Sequence, residues 1–258
     1  MQQYFIKGPC QNPIFIKDKE TVKHMFQVMR LTDGDQVCLV FDDGIKRLAA
    51  VSDSAAHSFT ILEDWDQSVE LPVDVTIASG FPKGDKLEWV TQKATELGAS
   101  AIWAFPADWS VAKWDGKKLA KKQEKLAKIA QGAAEQSKRN IVPEVELFEQ
   151  KADFLKEVSG FDNVFVAYEE SAKTGEQAAF ATGLKACQPG DKLLLIFGPE
   201  GGLSPQEIQV FEVMGAQTIG LGPRIMRTET APLYVLSAVS YALELDENNK
   251  HDVRRADQ

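Results

Sequence analysis

Cysteine and histidine are scarce in this 258-residue chain, three of each, and their placement removes whole classes of function. Cys10, Cys38 and Cys187 are widely spaced singletons, so neither a disulfide framework nor a zinc motif is expected. His24, His57 and His251 are equally dispersed, and no metal centre is expected. Long apolar runs are also missing, since none approaches the roughly 20 residues that cross a bilayer. The first residues, Met1 to Pro9, lack the basic, apolar and small-residue blocks of a signal peptide. The expectation is a cytoplasmic protein with no membrane partner. Phosphate-binding signatures are absent too: there is neither a Gly-Lys-Ser/Thr loop nor a spaced dinucleotide fingerprint.

Positive charge is short overall, at a net −9, yet it is concentrated. From Ser110 to Asn140 nine Lys/Arg stand against three Asp/Glu, a local balance of +6 within a chain whose other residues carry −15. A basic stretch on an acidic body is expected where a polyanion binds at one place. On charge alone, a solvated helix face is an equal alternative.

Two regimes of patterning divide the chain. Residues 1–70 hold short apolar runs (Gln3–Ile6, Ile14–Ile16, Gln36–Phe41, Leu48–Val51, Phe59–Leu62) separated by Asp33-Gly34-Asp35 and Asp42-Asp43-Gly44 turns. One helix, Lys19 to Arg30, interrupts them with Val22, Met25, Phe26 and Met29 on one stripe. A small barrel with a helix is predicted, because closure removes exposed strand edges. Residues 71–245 alternate strand with helix. The predicted strands are Val73–Ala78, Ala101–Phe105, Asn163–Tyr168, Lys192–Phe197 and Thr218–Leu221, and the helices Lys86–Leu97, Lys117–Gln136, Pro205–Met214 and Thr230–Leu245. Such alternation predicts an α/β domain with a parallel sheet covered on both faces. Residues 246–258 read as a flexible polar tail.

Two segments repeat the plan of strand, glycine turn and helix start. In the first, Leu193 to Phe197 runs into Gly198-Pro199-Glu200-Gly201-Gly202-Leu203-Ser204. In the second, Ile219-Gly220-Leu221-Gly222-Pro223 leads to Arg224-Ile225-Met226-Arg227-Thr228-Glu229-Thr230-Ala231. Loops at the carboxyl ends of strands in one open sheet form a crevice for ligands. Glu200 sits where a phosphate would go and repels it, so a ligand with adenosine and a positive centre fits better. S-adenosylmethionine meets that description. Arg224 and Arg227 suit an anionic substrate or a developing negative charge. Taken singly, each loop also reads as a turn that needs glycine for geometry alone.

The helix Lys117–Gln136 places Lys118, Lys121, Lys122, Lys125 and Lys128 on one arc and Leu119, Leu126, Ala130 and Ala133 on another. Such a cationic stripe suits phosphate contacts, and Lys138-Arg139-Asn140 extends it. Trp103, Trp109 and Trp114 are candidates to stack on unpaired bases, with core packing as the alternative for each. His24 reads as a helix-surface or capping residue.

With both loops in hand, the chain resembles the SPOUT class of methyltransferases, and within it the bacterial 16S ribosomal RNA uracil-N3-methyltransferase family (RsmE type). The resemblance rests on Phe197 to Ser204 and Leu221 to Ala231. Lys83 to Trp89, Gln92 to Gly98, Ala134 to Ser137 and the stretch from His24 through Met29-Arg30 to Gly34-Asp35 support it. It implies an N-terminal PUA-like RNA-binding barrel, a trefoil-knotted methyltransferase domain, a homodimer, and 16S rRNA of the small subunit as partner. S-adenosylmethionine would be held by Phe197, Gly198, Pro199, Glu200, Gly201, Gly202, Leu221, Gly222, Pro223, Ile225, Met226 and Ala231. RNA would be met by Lys118, Lys121, Lys125, Lys128, Lys138, Arg139 and Arg30. Glu229–Leu245 would pack at the dimer interface. Removing the N3 proton of uracil leaves an anion that Arg227, or Arg224, would stabilise, with Glu229, or a group from the partner subunit, as proton acceptor or as orienter of the arginine. Gln3 and Trp109 depart from the family, which commonly has arginine at both positions. The competing readings are a related RNA methyltransferase with another target base, a non-catalytic RNA-binding or assembly factor, and a nucleotide-dependent metabolic enzyme. The last is disfavoured by Glu200 and by the missing phosphate motif.

Overall fold

The computed structural model describes residues 1–169 and 179–246. They divide into two compact units, one of residues 1–70 with 134–142, the other of residues 71–133 with 143 onward.

In the first unit β1 (Gln3–Phe5), β2 (Ile14–Phe15), β3 (Gln36–Val40), β4 (Lys46–Asp53) and β5 (Ser58–Trp65) form a sheet ordered β1-β3-β4-β5-β2. It is antiparallel except for the β1–β3 pair. The predicted apolar runs supply its core, in which Tyr4, Met25, Leu39 and Phe59 are buried. The predicted helix over Lys19–Arg30 is shorter and changes pitch. Helix α1 spans Lys19–Val22, with Asp18 accepting from the Thr21 N–H, and a π-helical stretch follows over Lys23–Val28. Arg30 then adopts a left-handed backbone at φ 56°, which ends the helix.

Residues 134–142, which lie outside the 1–70 span of the predicted barrel, belong to this unit. The Arg139 guanidinium is bonded to the Glu70 carboxylate, through Nε at 2.8 and 3.1 Å to the two oxygens and also through Nη2. The Asn140 N–H donates to Glu70 at 2.7 Å, and the Asn140 side chain donates to the Gly44 carbonyl at 2.9 Å. Gln3, 2 % exposed, donates to the Arg139 carbonyl at 2.7 Å. Arg139 is itself only 2 % exposed, so it is corrected from a candidate RNA contact to a structural residue: its charge is already paired inside the fold.

The second unit is built on six parallel strands ordered β11-β9-β10-β6-β7-β8. In chain order these are β6 (Asp74–Gly80), β7 (Ala101–Phe105), β8 (Glu144–Leu147), β9 (Asn163–Ala167), β10 (Lys192–Phe197) and β11 (Gln217–Ile219). The helices are α2 (Lys86–Glu96), α3 (Gly116–Gln136), α4 (Lys151–Val158), α5 (Ala179–Ala186), α6 (Pro205–Val213) and α7 (Ala231–Ser240), the last running into a π-helical turn at Tyr241–Leu245. The α3 helix begins in this unit, and its last turn belongs to the first. Strand β8 and helices α4 and α5 were not predicted. Glu144-Val145-Glu146-Leu147 is a four-residue edge strand, too short for alternation to stand out. Alternating Glu and Leu along Leu193–Phe197 would have exposed that strand on one face; instead the run is wholly apolar and wholly buried, as a central parallel strand requires.

Aromatic rings fill one core, where Phe105 stacks on Phe154 at 4.2 Å between centroids. Trp103 packs edge-on to Phe148 and Phe161, each at 5.3 Å, so it is a core residue and not a stacking platform. The predicted tail falls on residues 247–258, outside the described residues, except for Asp246. Among the described residues no helix is long and apolar enough to cross a membrane.

Candidate active site

Because the six strands are parallel, the chain leaves β6, β10 and β11 at the same edge of the sheet, where ligand crevices form. Phe81–Asp85 follows β6, the first glycine loop follows β10, and the second follows β11.

The first loop is a tight turn closed by the Gly202 N–H on the Pro199 carbonyl at 2.8 Å. A Cβ on Gly198 would stand 2.6 Å from the Gly202 carbonyl carbon, so only glycine allows the chain to double back there. Phe197 and Pro199 are buried beneath the loop, while Gly201 is exposed. Helix α6 starts directly afterwards with the predicted capping box: Ser204 accepts from the Glu207 N–H, and Glu207 accepts from the Ser204 N–H.

In the second loop Leu221 and Gly222 are half-buried, and Gly222 takes φ +85°, a conformation that side chains resist. The Thr230 and Ala231 N–H groups both donate to the Arg227 carbonyl, at 2.9 and 3.0 Å, which turns the chain into α7 with Ala231 buried. Met226 is half-buried. Pro223 and Arg224 are exposed, Ile225 is 82 % exposed, and the Arg227 side chain is 83 % exposed. The Ile225 side chain stands in solvent, and the two arginines project from an exposed part of the loop.

The residue that joins these loops was not predicted. Lys86, the first residue of α2, places Nζ 2.9 Å from Glu200 Oε1 and 3.2 Å from Glu229 Oε2. Glu200 Oε1 also accepts the Lys83 N–H at 3.0 Å. A signal for Lys86 was present in the sequence: lysine at a helix N-terminus opposes the helix dipole and calls for a carboxylate partner. The Glu200 hydrogen bond holds the Lys86 ammonium above its usual pKa against the opposing effect of burial. Burial pushes the Glu200 carboxyl up, but the bonds to Lys86 and the backbone bring it below its usual value. On the far side, Glu229 Oε1 lies 4.0 Å from Arg227 Nη1. Lys86, Glu200 and Glu229 alone sum to one negative charge, which Arg227 balances from 4.0 Å. The carboxylate oxygens still offer partners to a cationic sulfonium, so the residues fit S-adenosylmethionine.

A second set, also missed from sequence, braces the first loop. Lys151 Nζ lies 2.5 Å from both Asp108 Oδ1 and Glu207 Oε1. Ser204 Oγ donates to Asp108 Oδ2 at 2.6 Å, and the Asp108 N–H donates to Glu207 at 2.9 Å. The Lys151 and Ser204 bonds hold the Asp108 carboxyl below its usual pKa. The neighbouring Trp109 packs against the loop, where a Cβ on Gly201 would meet Trp109 Cβ at 3.0 Å. Trp109 is 49 % exposed. Trp114 lies against Phe81 with Lys122 over its ring.

Of the basic residues, Lys118, Lys121, Lys125 and Lys128 are exposed along α3, while Leu119, Leu126, Ala130 and Ala133 are buried as predicted. Lys125 pairs with Glu88 at 2.6 Å, and Lys128 lies 3.6 Å from Glu124. Arg30 and Lys138 belong to the first unit and are exposed, Lys138 donating to the Met1 carbonyl at 2.9 Å. His24 lies in the π-helical stretch with Nδ1 3.1 Å from the Tyr4 hydroxyl. Burial, then Asp191, pushes the Cys187 thiol up to about 11, which makes it a poor nucleophile near neutral pH. No group of three or more His, Cys, Asp or Glu side chains among the described residues is placed to hold a metal.

Comparison with known proteins agrees with this geometry. Residues 69–240 match a family model described as an RNA methyltransferase domain, and residues 16–64 one described as an RNA methyltransferase PUA domain. The chain is 47 % identical over 252 residues to ribosomal RNA small subunit methyltransferase E of Bacillus subtilis, covering 95 % of this chain and 98 % of that protein. It is similar to a hypothetical protein of known crystal structure, with TM-score 0.85 and 43 % identity over 95 % of this chain and 99 % of the other. It is also similar to a Legionella pneumophila protein solved in complex with the cofactor SAM, with TM-score 0.79 and 28 % identity over 93 % and 97 %. The parallel-sheet unit and the PUA unit thus match one known architecture, and the chain belongs to the RNA methyltransferase family of ribosomal RNA small subunit methyltransferase E.

Proposed function

We propose that this protein methylates N3 of a uridine in the 16S RNA of the small ribosomal subunit, with S-adenosylmethionine as donor. The observation that carries the reading is the meeting of both glycine loops about Lys86 at the carboxyl edge of the sheet, in a chain of this family. When bound, S-adenosylmethionine supplies an activated methyl group. The Gly198–Gly202 and Leu221–Pro223 main chain is its cradle, flanked by Met226 and Ala231, and the carboxylates favour its positive centre.

Uracil N3 must lose its proton before it takes the methyl group. Arg227, exposed and at the rim of the cluster, stabilises the resulting anion, with Arg224 beside it in the loop. Glu229 already has Lys86 on one oxygen and Arg227 4.0 Å from the other, so its role is to aim Arg227, and the N3 proton passes to solvent water. Lys118, Lys121, Lys125 and Lys128 of α3 bind phosphates, with Arg30 and Lys138 of the first unit as further contacts. Trp109 is the one tryptophan of the three candidates left half-exposed beside a glycine loop, and it stacks on an unpaired base. The protein acts as a cytoplasmic homodimer with a trefoil-knotted methyltransferase domain; exposed Tyr234, Tyr241 and Leu245 at α7 and the turn after it give the dimer an apolar surface.

The test is transfer of radiolabelled methyl groups to small subunits that lack the modification, followed by nucleoside analysis. N3-methyluridine is expected. Label in another nucleoside would move the target within the family, and failure to bind S-adenosylmethionine at all would refute the reading.

A further inference from the structure

We infer that Lys86 is a positioning residue that sets the spacing of the two glycine loops and directs Glu229 onto Arg227. The inference rests on the S-adenosylmethionine reading of the site. Three chain segments that leave the sheet at separate strands meet at its ammonium: the β6–α2 connection, which carries Lys86 itself, the first loop through Glu200, and the second through Glu229. Lys86 touches both loops through their acidic side chains.

Its removal reverses the sign of the interaction between the loops. Both carboxylates lie on one nitrogen, at 2.9 and 3.2 Å, so they are no more than about 6 Å apart. Two like charges at that separation repel. Between the dielectric of water and the value typical near a protein surface, the repulsion amounts to about 3- to 100-fold in an equilibrium constant. Glu200 keeps its bond from the Lys83 N–H and stays in place. Glu229 has no such backbone anchor among its described contacts, so the second loop is the one that moves, and it takes Arg227 with it.

The experiment uses the full-length protein in three forms, Lys86→Met, Lys86→Arg and Lys86→Met with Glu229→Gln. Calorimetric titration with S-adenosylmethionine and melting of the ligand-free protein are both measured. Lys86→Met is expected to bind S-adenosylmethionine more weakly, by at most about 100-fold because the unpaired carboxylates also attract the sulfonium, and to melt at a lower temperature. Lys86→Arg keeps the charge and is expected to restore most of the affinity. The double variant, in which the repulsion is gone, is expected to regain both affinity and melting temperature over Lys86→Met. In methyl transfer, Lys86→Met should raise the KM for S-adenosylmethionine and lower kcat while leaving the KM for RNA unchanged.

Undiminished or tighter binding by Lys86→Met overturns the inference, and so does a double variant no better than the single one. If Lys86→Met does not fold, the inference stands or falls on the Lys86→Arg and double variants, each of which must bind within about tenfold of the wild type. Wild-type protein that binds no S-adenosylmethionine overturns the cofactor reading itself, which separates the two failures.

Discussion

Replacing Arg139 with methionine tests whether the end of the basic stretch is structural or touches RNA. Arg139 is 2 % exposed, and its guanidinium bonds both oxygens of Glu70, whose side chain is 19 % exposed. Removing one partner of a buried ion pair costs about 3–5 kcal/mol, because the other charge remains without compensation. Here Glu70 keeps the Asn140 N–H at 2.7 Å and the Ile141 N–H at 3.3 Å, and it retains some access to water. We therefore expect about 2–3 kcal/mol, at or below the lower end of that range. Methionine fills much of the volume of the arginine stem, so the loss reports the ion pair more than a cavity. The assay is urea denaturation, with RNA binding measured in parallel on folded protein at several salt concentrations. The midpoint should fall while RNA affinity and its salt dependence stay as in the wild type. Lys118→Ala is the opposite control, with stability kept and the salt slope reduced by roughly 0.7–0.9, as for one lost phosphate contact. An Arg139→Met protein of wild-type stability whose salt slope had dropped would refute the argument and return Arg139 to the RNA interface.

Further outcomes follow from the site. Arg227→Ala should lower kcat by about 100-fold or more, the scale of losing one donor to a developing anion, with S-adenosylmethionine affinity unchanged; wild-type turnover in single-turnover kinetics would remove Arg227 from that role. Trp109→Ala should weaken RNA binding by about 1–3 kcal/mol, the worth of one base–aromatic stack, and Trp109→Phe should recover most of it. An equal loss in both would mean that the indole supports the loop instead. The depressed Asp108 carboxyl stabilises the fold above the unfolded-state pKa of about 3.9, and that contribution is lost as pH falls through the lower folded-state value. Asp108→Asn should accordingly be less stable at neutral pH and show a smaller further loss below about pH 4, read from thermal melts across pH.

Much of the site was legible locally. Glycine turns after apolar strands, a capping box at Ser204 and Glu207, and an apolar stripe beneath a lysine face are all properties of neighbouring residues, so the order of the chain discloses them. The wholly apolar Leu193–Phe197 likewise announced a strand of a covered parallel sheet; its place between β9 and β6 came from the structure. What the sequence left open were pairings between residues far apart in the chain. Lys86 meets Glu200 and Glu229 only because parallel strands deliver three connections to one edge. Lys151 reaches Asp108 and Glu207 for the same kind of reason. Arg139 lay in the same basic stretch as Lys118, and nothing local separated them. Their opposite fates, one paired with Glu70 in the interior and one on an exposed helix face, were decided by burial. The sequence by itself determined which segments form strands, turns and helices, because backbone preference and periodicity act over a few residues. Only the tertiary structure decided which charges meet, because an ion pair depends on distance in space and on the water that folding removes.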